Sequence, residues 1–163
     1  PGDDIVALPS GQRSKVTHVE IGGENLNEGV AEQSVTIRLA DEIDISRGDM
    51  LAHPDTAPQV VKEAQAMVCW LSENPLDRAR TYALRQTTRT VKAKVADIPF
   101  RLDINTLAEE AAPTQLQMND IARINLRLAQ PICCDSYKSN RNTGAFILID
   151  EATNNTVGAG MLL

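Results

Sequence analysis

This sequence of 163 residues has few aromatic side chains, 3% of the total, and an excess of acidic residues that gives a net charge of −6. Proteins that bind single-stranded nucleic acid stack bases on aromatic rings, and nucleic acid binders in general need a positively charged surface. We therefore expect no nucleic acid partner. Apolar runs are short as well, and none approaches the ~20 residues that a membrane-spanning helix needs, so we expect no membrane partner.

Cysteine occurs three times, as an isolated Cys69 and as the adjacent pair Cys133 and Cys134. An odd number of cysteines without a Cys-x-x-Cys spacing does not fit a disulfide framework, so we expect reduced thiols. Neighbours on a strand point to opposite faces, and we expect one of Cys133 and Cys134 to be buried and the other exposed. Reduced thiols and the lack of a recognisable secretory leader predict a cytoplasmic location.

Residue patterns that carry catalysis are also missing. There is no Gly-x-x-x-x-Gly-Lys-Ser/Thr loop, no Gly-x-Gly-x-x-Gly loop and no serine in a nucleophile elbow. His18 and His53 are isolated, without a Cys or His at metal-ligand spacing. The acidic cluster within residues 41–49 lacks the spacing of a helix-loop-helix calcium loop and favours a solvated face. We expect no catalytic, cofactor-binding or metal-binding residues in this chain.

Strand patterns dominate what is present. Apolar residues alternate with polar ones at 34–39, at 90–95 and at 121–128, which predicts half-buried strands. The alternation slips by one residue near Thr17-His18 and again at Ala96-Asp97, and each slip predicts a β-bulge. Many short strands separated by turn residues predict an all-β chain of antiparallel barrels or sandwiches.

Two local patterns lead to more specific expectations. The stretch EIDISRGDML at 42–51 predicts a strand, a tight turn at Gly48-Asp49 and a second strand that closes against the first. One short helix is expected to start at Thr106, because Thr106 and Glu109 have capping-box spacing, and to end before Pro113.

The segment 53–58 contains two prolines and no periodicity, which predicts a linker between domains at 1–57 and 58–163. Charge differs across it: residues 1–57 hold 4 basic and 11 acidic residues, and residues 58–163 hold 12 basic and 11 acidic ones. Six of the basic residues fall between Arg78 and Lys94. A solvated strand face and a surface for an acidic partner both fit this cluster. The candidate partner-interface residues are Arg78, Arg80, Arg85 and Arg89.

Several stretches resemble known GTPases. ISRGDMLAHP at 45–54 and TVGAGM at 156–161 resemble the closing strands of the second and third domains of elongation-factor-type GTPases. Within that superfamily, the chain is similar over nearly its whole length to the large GTPase subunit of bacterial sulfate adenylyltransferase. The most specific stretches are DEIDISRGDML at 41–51, RTVKAKVADIPFRLDINTLAEE at 89–110 and SNRNTGAFILIDEATNNTVGAGM at 139–161.

The resemblance implies two antiparallel β-barrels of the elongation-factor domain 2 and domain 3 type, the first one incomplete. Arg47, Gly48 and Asp49 then form a turn where a barrel closes, and the glycines of 156–161 allow close backbone approach. GTP and Mg²⁺ are expected on an N-terminal GTPase domain of the same polypeptide. The implied partner is the small catalytic subunit that makes adenylyl sulfate from ATP and sulfate. None of the family's GTP-binding residues matches a position in this sequence.

Other interpretations stay open at this point. The resemblance is compatible with a form fused to an adenylylsulfate kinase and with a form that is not. The sequence is also compatible with the barrels of a translational elongation-factor-type GTPase, or with a stand-alone protein-binding β module.

Overall fold

The computed structural model describes residues 1–163, which form two compact units, Pro1–Ala57 and Pro58–Leu163. The strands of the first unit are β1 (Asp4–Leu8), β2 (Gln12–Ile21), β3 (Glu24–Leu26), β4 (Thr36–Leu39) and β5 (Met50–Ala52), followed by a 3-10 turn at Pro54–Thr56. The elements of the second unit are β6 (Gln59–Trp70), β7 (Tyr82–Gln86), β8 (Arg89–Leu102), β9 (Glu109–Ala111), β10 (Ile121–Cys134), α1 (Arg141–Gly144), β11 (Ala145–Ile149) and β12 (Thr156–Leu162). No helix has the length and apolar character needed to cross a membrane.

The first unit is an open antiparallel sheet. Its strands follow the order β3-β2-β1-β5, and β4 pairs with residues 16–20 of β2, of which Val19 and Glu20 also pair with β3. No ladder returns from β5 to the other edge, so the sheet does not close on itself, and the expectation of an incomplete first barrel is confirmed. Ile5, Val16 and Val19 form a small buried apolar cluster, with half-buried side chains such as Leu51 packed against it, and residues 6–8 are buried outside that cluster.

The strand predicted at the start of 42–51 is not formed. Residues 40–46 have no ladder partner, and β5 pairs with β1 instead, with Val6 opposite Ala52. Alternation was half right about burial here, because Ile43 packs on the core whereas Ile45 is 39% exposed. Burial of one side chain does not supply the ladder partner that a strand needs. The predicted turn is confirmed: Asp49 donates its N–H to the carbonyl of Ser46 at 3.0 Å, and Gly48 has a φ of 97°.

The second unit is a closed barrel. Its strands follow the order β10-β6-β12-β11-β7-β8, and β8 pairs with β10 to complete the ring, while β9 extends β8. The interior holds one cluster of 21 buried side chains, and Ala66 and Leu162, which face each other on β6 and β12, both belong to it. Trp70, the only tryptophan, meets Tyr82 edge-on at 5.6 Å and donates its indole N–H to the carbonyl of Asn74 at 2.8 Å.

Both predicted bulges are confirmed. In β2 the pairing with β4 shifts between Val16 and His18. In β8 the pairing with β10 shifts where Asp97 faces Asn125 and Val95 faces Leu126, so Ala96 is the extra residue. Each bulge restores the alternation of inward side chains after the strand bends.

The helix predicted from Thr106 onward is wrong. The carboxylate of Asp103 accepts the N–H groups of Asn105 and Thr106 at 2.8 and 3.0 Å, which makes a tight turn, and Leu107 then takes a φ of 59°. A left-handed residue stops a right-handed helix, and the chain returns as β9. The one helix in the structure is the single turn of α1, which the side chain of Asn140 caps.

Two predictions about the barrel's small residues had different outcomes. Cys133 and Cys134 are both buried, contrary to the expectation that one would be exposed. The side chain of Gln86 donates to the carbonyls of Cys133 and Thr143, so α1 lies against this end of β10 and covers it. Close approach at the glycines of β12 is confirmed, because a Cβ added to Gly160 would lie 2.3 Å from Cζ of Phe146.

Candidate functional site

The four arginines singled out by sequence lie along one hairpin and the loop before it. Arg78 and Arg80 precede β7, Arg85 lies within β7, and Arg89 is the first residue of β8. The first three are exposed and Arg89 is half-buried. The guanidinium groups of Arg78, Arg80 and Arg89 contact different parts of the barrel, so the four arginines do not form one cluster.

Arg80 is held at the end of β11. Its guanidinium lies 2.9 Å from Asp150, and its carbon lies 5.9 Å from the centre of the Tyr82 ring. The N–H of Ala152 and the guanidinium of Arg80 both donate to Asp150 and hold the pKa of that carboxyl below its usual value. Burial raises the pKa of the Tyr82 hydroxyl, which exchanges hydrogen bonds with the backbone of Asp77. These contacts tie the loop before β7 to the barrel.

Arg78 lies at the bulge of β8. It donates to the carbonyl of Ala96, and its guanidinium lies 3.7 Å from the carboxylate of Asp97. Next to it is an open cavity of about 890 Å³ on the outer surface of β6, β8 and β10. Lys94 and Arg127 line this cavity together with Glu63, which lies 3.3 Å from Arg127. Its opposite charges largely pair with one another, which leaves little unbalanced charge for a ligand.

Arg89 and Arg85 differ in their contacts. The Nε of Arg89 donates to the carbonyl of Pro131 at 2.9 Å, which joins the start of β8 to β10. Arg85 points outward from β7 and makes no ion pair with any carboxylate of the chain. Of the four, Arg85 is therefore the one whose guanidinium is not used by the fold. Use of these arginines at a partner interface stays a prediction.

The groups with catalytic chemistry are dispersed or structural. No group of three or more His, Cys, Asp or Glu side chains is arranged to hold a metal ion. Asp41, in the acidic cluster, accepts the hydroxyl of Ser14 at 2.8 Å. Burial raises the pKa of the Cys134 thiol to about 11, which makes it a poor nucleophile.

Comparison with known proteins places this barrel in a family. Residues 63–163, most of the second unit, match the family model described as GTP-eEF1A C-terminal domain-like. The chain belongs to that family. Among solved structures, Sup35 in complex with GDP shares the fold of 99% of this chain with a TM-score of 0.87 and 17% sequence identity, over 40% of its own length.

Curated relatives of this GTP-eEF1A-like chain are closer in sequence. It is 43% identical over 163 residues to the bifunctional enzyme CysN/CysC of Mycobacterium tuberculosis. It is also 45% identical over 162 residues to sulfate adenylyltransferase subunit 1 of Francisella tularensis and 43% identical to that of Alteromonas mediterranea. The matches cover 99% or more of this chain but only 26% to 34% of those proteins.

Sequence reasoning missed a second surface of this GTP-eEF1A-like barrel. On its outer side, apolar side chains of five neighbouring strands face each other in two rows along the ladders. One row contains Leu102, Ile121, Cys69, Ala159 and Ile147, in that order, and continues to Arg85. The other row contains Phe100, Met67, Met161 and Ala145, and the charged side chain of Arg123 lies between the first two. Runs that are apolar on both faces, at 64–71 and 145–149, carried the signal, but full burial explained them equally well.

Proposed function

We propose that this chain is the non-catalytic barrel region of the GTP-hydrolysing subunit of sulfate adenylyltransferase. The observation that carries the proposal is the identity of 43% to 45%, over essentially the whole chain, with proteins named sulfate adenylyltransferase subunit 1 and CysN/CysC. The polar groups of the barrel are dispersed or engaged in contacts that hold the fold together, which fits a region without a catalytic role.

In the proposed enzyme, ATP and sulfate give adenylyl sulfate and pyrophosphate, and GTP hydrolysis drives this reaction. GTP and Mg²⁺ would bind a separate GTPase domain of the same polypeptide, and a catalytic partner subunit would join sulfate to the adenylyl group. The barrels would hold the GTPase domain and the partner in a productive arrangement. The likeness to Sup35, at 17% identity, supports the fold alone and does not favour a translational role.

The test is an assay of adenylyl sulfate formation with the full-length protein that contains this chain. It is mixed with the catalytic subunit of sulfate adenylyltransferase from the same organism, ATP and sulfate, with and without GTP. We expect synthesis to increase when GTP is added and GTP to be consumed in parallel. GTP hydrolysis without any effect on synthesis would contradict the proposal. The chain of 163 residues alone should show no GTP binding by calorimetry, and a micromolar site there would contradict it too.

We also propose that the arginine hairpin contributes to partner contact through Arg78, Arg80, Arg85 and Arg89. The substitution Arg80→Glu would place one carboxylate against another, that of Asp150, and would disturb the fold. A loss of binding by that variant would therefore be ambiguous. Arg85→Glu is the informative substitution, because Arg85 has no ion pair to lose. We expect it to weaken binding of the catalytic subunit, and unchanged affinity would favour a merely solvated face.

A further inference from the structure

An open groove of about 690 Å³ runs across the outer side of the barrel, over strands β6, β7, β10, β11 and β12. Its floor includes members of the two apolar rows, among them Cys69, Ile121, Ile147, Ala159 and Met161. Met161 is 43% exposed, and the other four are half-buried. An open groove with an apolar floor and a polar rim gives the apolar side chains of a partner segment a surface on which to pack.

Two arginines border the groove. Arg85 comes from β7, and Arg141 comes from α1, where its guanidinium carbon lies 5.9 Å from the centre of the Tyr137 ring. Both are exposed, and neither makes an ion pair within the chain. Most other arginines of the barrel, such as Arg80 and Arg101, are paired with carboxylates.

The charge of the groove is one-sided. No aspartate or glutamate lines it, although the whole chain has a net charge of −6. Arg141 is also held in place by its ring contact, so less side-chain freedom is lost when it meets an anion. An apolar floor with two unpaired cations on its rim is complementary to a segment whose apolar side chains are flanked by carboxylates.

We propose that this arginine groove, formed by Cys69, Ile121, Ile147, Ala159, Met161, Arg85 and Arg141, binds an acidic amphipathic segment of a partner protein. Apolar side chains of that segment pack on the floor, and its aspartates or glutamates meet Arg85 and Arg141. The identity of the partner rests on the proposed function, which makes it the catalytic subunit of sulfate adenylyltransferase. The existence of the groove and its charge do not depend on that function.

The test measures the affinity of the full-length protein for that catalytic subunit by calorimetry. We expect the double variant Arg85→Glu, Arg141→Glu to bind at least about tenfold more weakly, and Met161→Asp to lose affinity as well, because it places a negative charge on the groove floor. Raising the salt concentration should weaken the wild type more than the double variant. Lys62→Glu, a matched charge reversal on an exposed lysine that does not line the groove, should bind like the wild type.

Circular dichroism spectra of the variants check that they fold. We expect spectra like that of the wild type, because the substituted side chains are exposed and the two arginines make no ion pair within the chain. If the wild type binds and GTP stimulates synthesis, but the groove variants bind equally well, the groove inference is overturned and the proposed function stands. If the wild type binds and loses affinity with the groove variants, but GTP has no effect on synthesis, the groove stands and the function falls. If the wild type does not bind the subunit, or forms a dimer with itself that the variants abolish, this partner is overturned.

Discussion

The two units use the same kind of strand but bury very different amounts of apolar surface. In the open sheet of Pro1–Ala57 six apolar side chains are buried and three of them form a cluster, whereas the closed barrel of Pro58–Leu163 buries 22, of which 21 form one cluster. A closed barrel pairs every strand on both sides and encloses one face completely, while an open sheet leaves edges and a half-covered face. Closure, more than strand content, decides how much of the sequence becomes core.

The largest expected difference between the units is in local opening. Strand amides within 121–128 and 144–162 should exchange only on global unfolding of the barrel, at roughly 5 kcal/mol or more, whereas amides of 34–51 should exchange at lower cost. Hydrogen exchange of the dilute monomer, resolved by NMR or mass spectrometry, measures both. Equal protection in the two units would mean that the open sheet is stable by itself.

Core truncation should also differ between the units. Changing Leu148, which is fully buried in the barrel, to alanine should lower the free energy of unfolding by about 2–5 kcal/mol. Changing Val19, in the open sheet, to alanine should lower it by about 1–2 kcal/mol. Urea unfolding followed by far-ultraviolet circular dichroism gives both values. Leu163→Ala, at a position 55% exposed, serves as the control and should stay within about 0.5 kcal/mol of the wild type. A larger loss for Val19 than for Leu148 would reverse the ranking of the two cores.

A methyl group should be tolerated in one unit and rejected in the other. Gly160→Ala would place its Cβ 2.3 Å from the ring of Phe146 and should destabilise the barrel by about 1–3 kcal/mol. Gly29→Ala would place its Cβ 3.4 Å from Val19 and should have little effect. Thermal unfolding of both variants tests this, and Phe146→Leu should recover part of the loss at Gly160 if the clash is its cause.

The smallest expected effect concerns acid. Because the pKa of Asp150 is lowered in the folded state by the N–H of Ala152 and by Arg80, its contribution is present above the ordinary pKa of aspartate and is lost as pH falls through the folded value. Asp150→Asn should therefore be less stable than the wild type at pH 6, and the difference should shrink toward pH 2. Asp4→Asn, in an exposed ion pair of the first unit, is the control substitution and should change the stability at pH 6 only slightly. A constant difference across this range would exclude Asp150 as the titrating group.

Sequence periodicity located the fold more reliably than it located surfaces. Side-chain direction in a strand has a strict period of two. The alternation of Val91, Ala93 and Val95 therefore predicted β8, and the slip in that alternation at Ala96 predicted the bulge. The helix from Thr106 failed because the carboxylate of Asp103 binds the backbone of the next residues first. Capping-box spacing alone does not reveal that competition.

The candidate surface was only partly accessible to sequence reasoning. Arg85 stood out as part of a basic cluster, but its distinction from Arg80 depends on Asp150, which lies 70 positions away in the chain. Arg141 was missed because nothing nearby in the sequence relates α1 to β7. Ile147 and Cys69 lie in runs that are apolar on both faces, and only strand order shows that one of those faces is the outer surface.

Trp70 lies inside the barrel, and both tyrosines and both phenylalanines also belong to residues 58–163. The first 57 residues are therefore silent in near-ultraviolet absorption and in intrinsic fluorescence. A melting curve recorded by tryptophan emission will register only the barrel, while one recorded from backbone signals will register both units. Any gap between the two curves is a direct optical measure of how independently the open sheet comes apart.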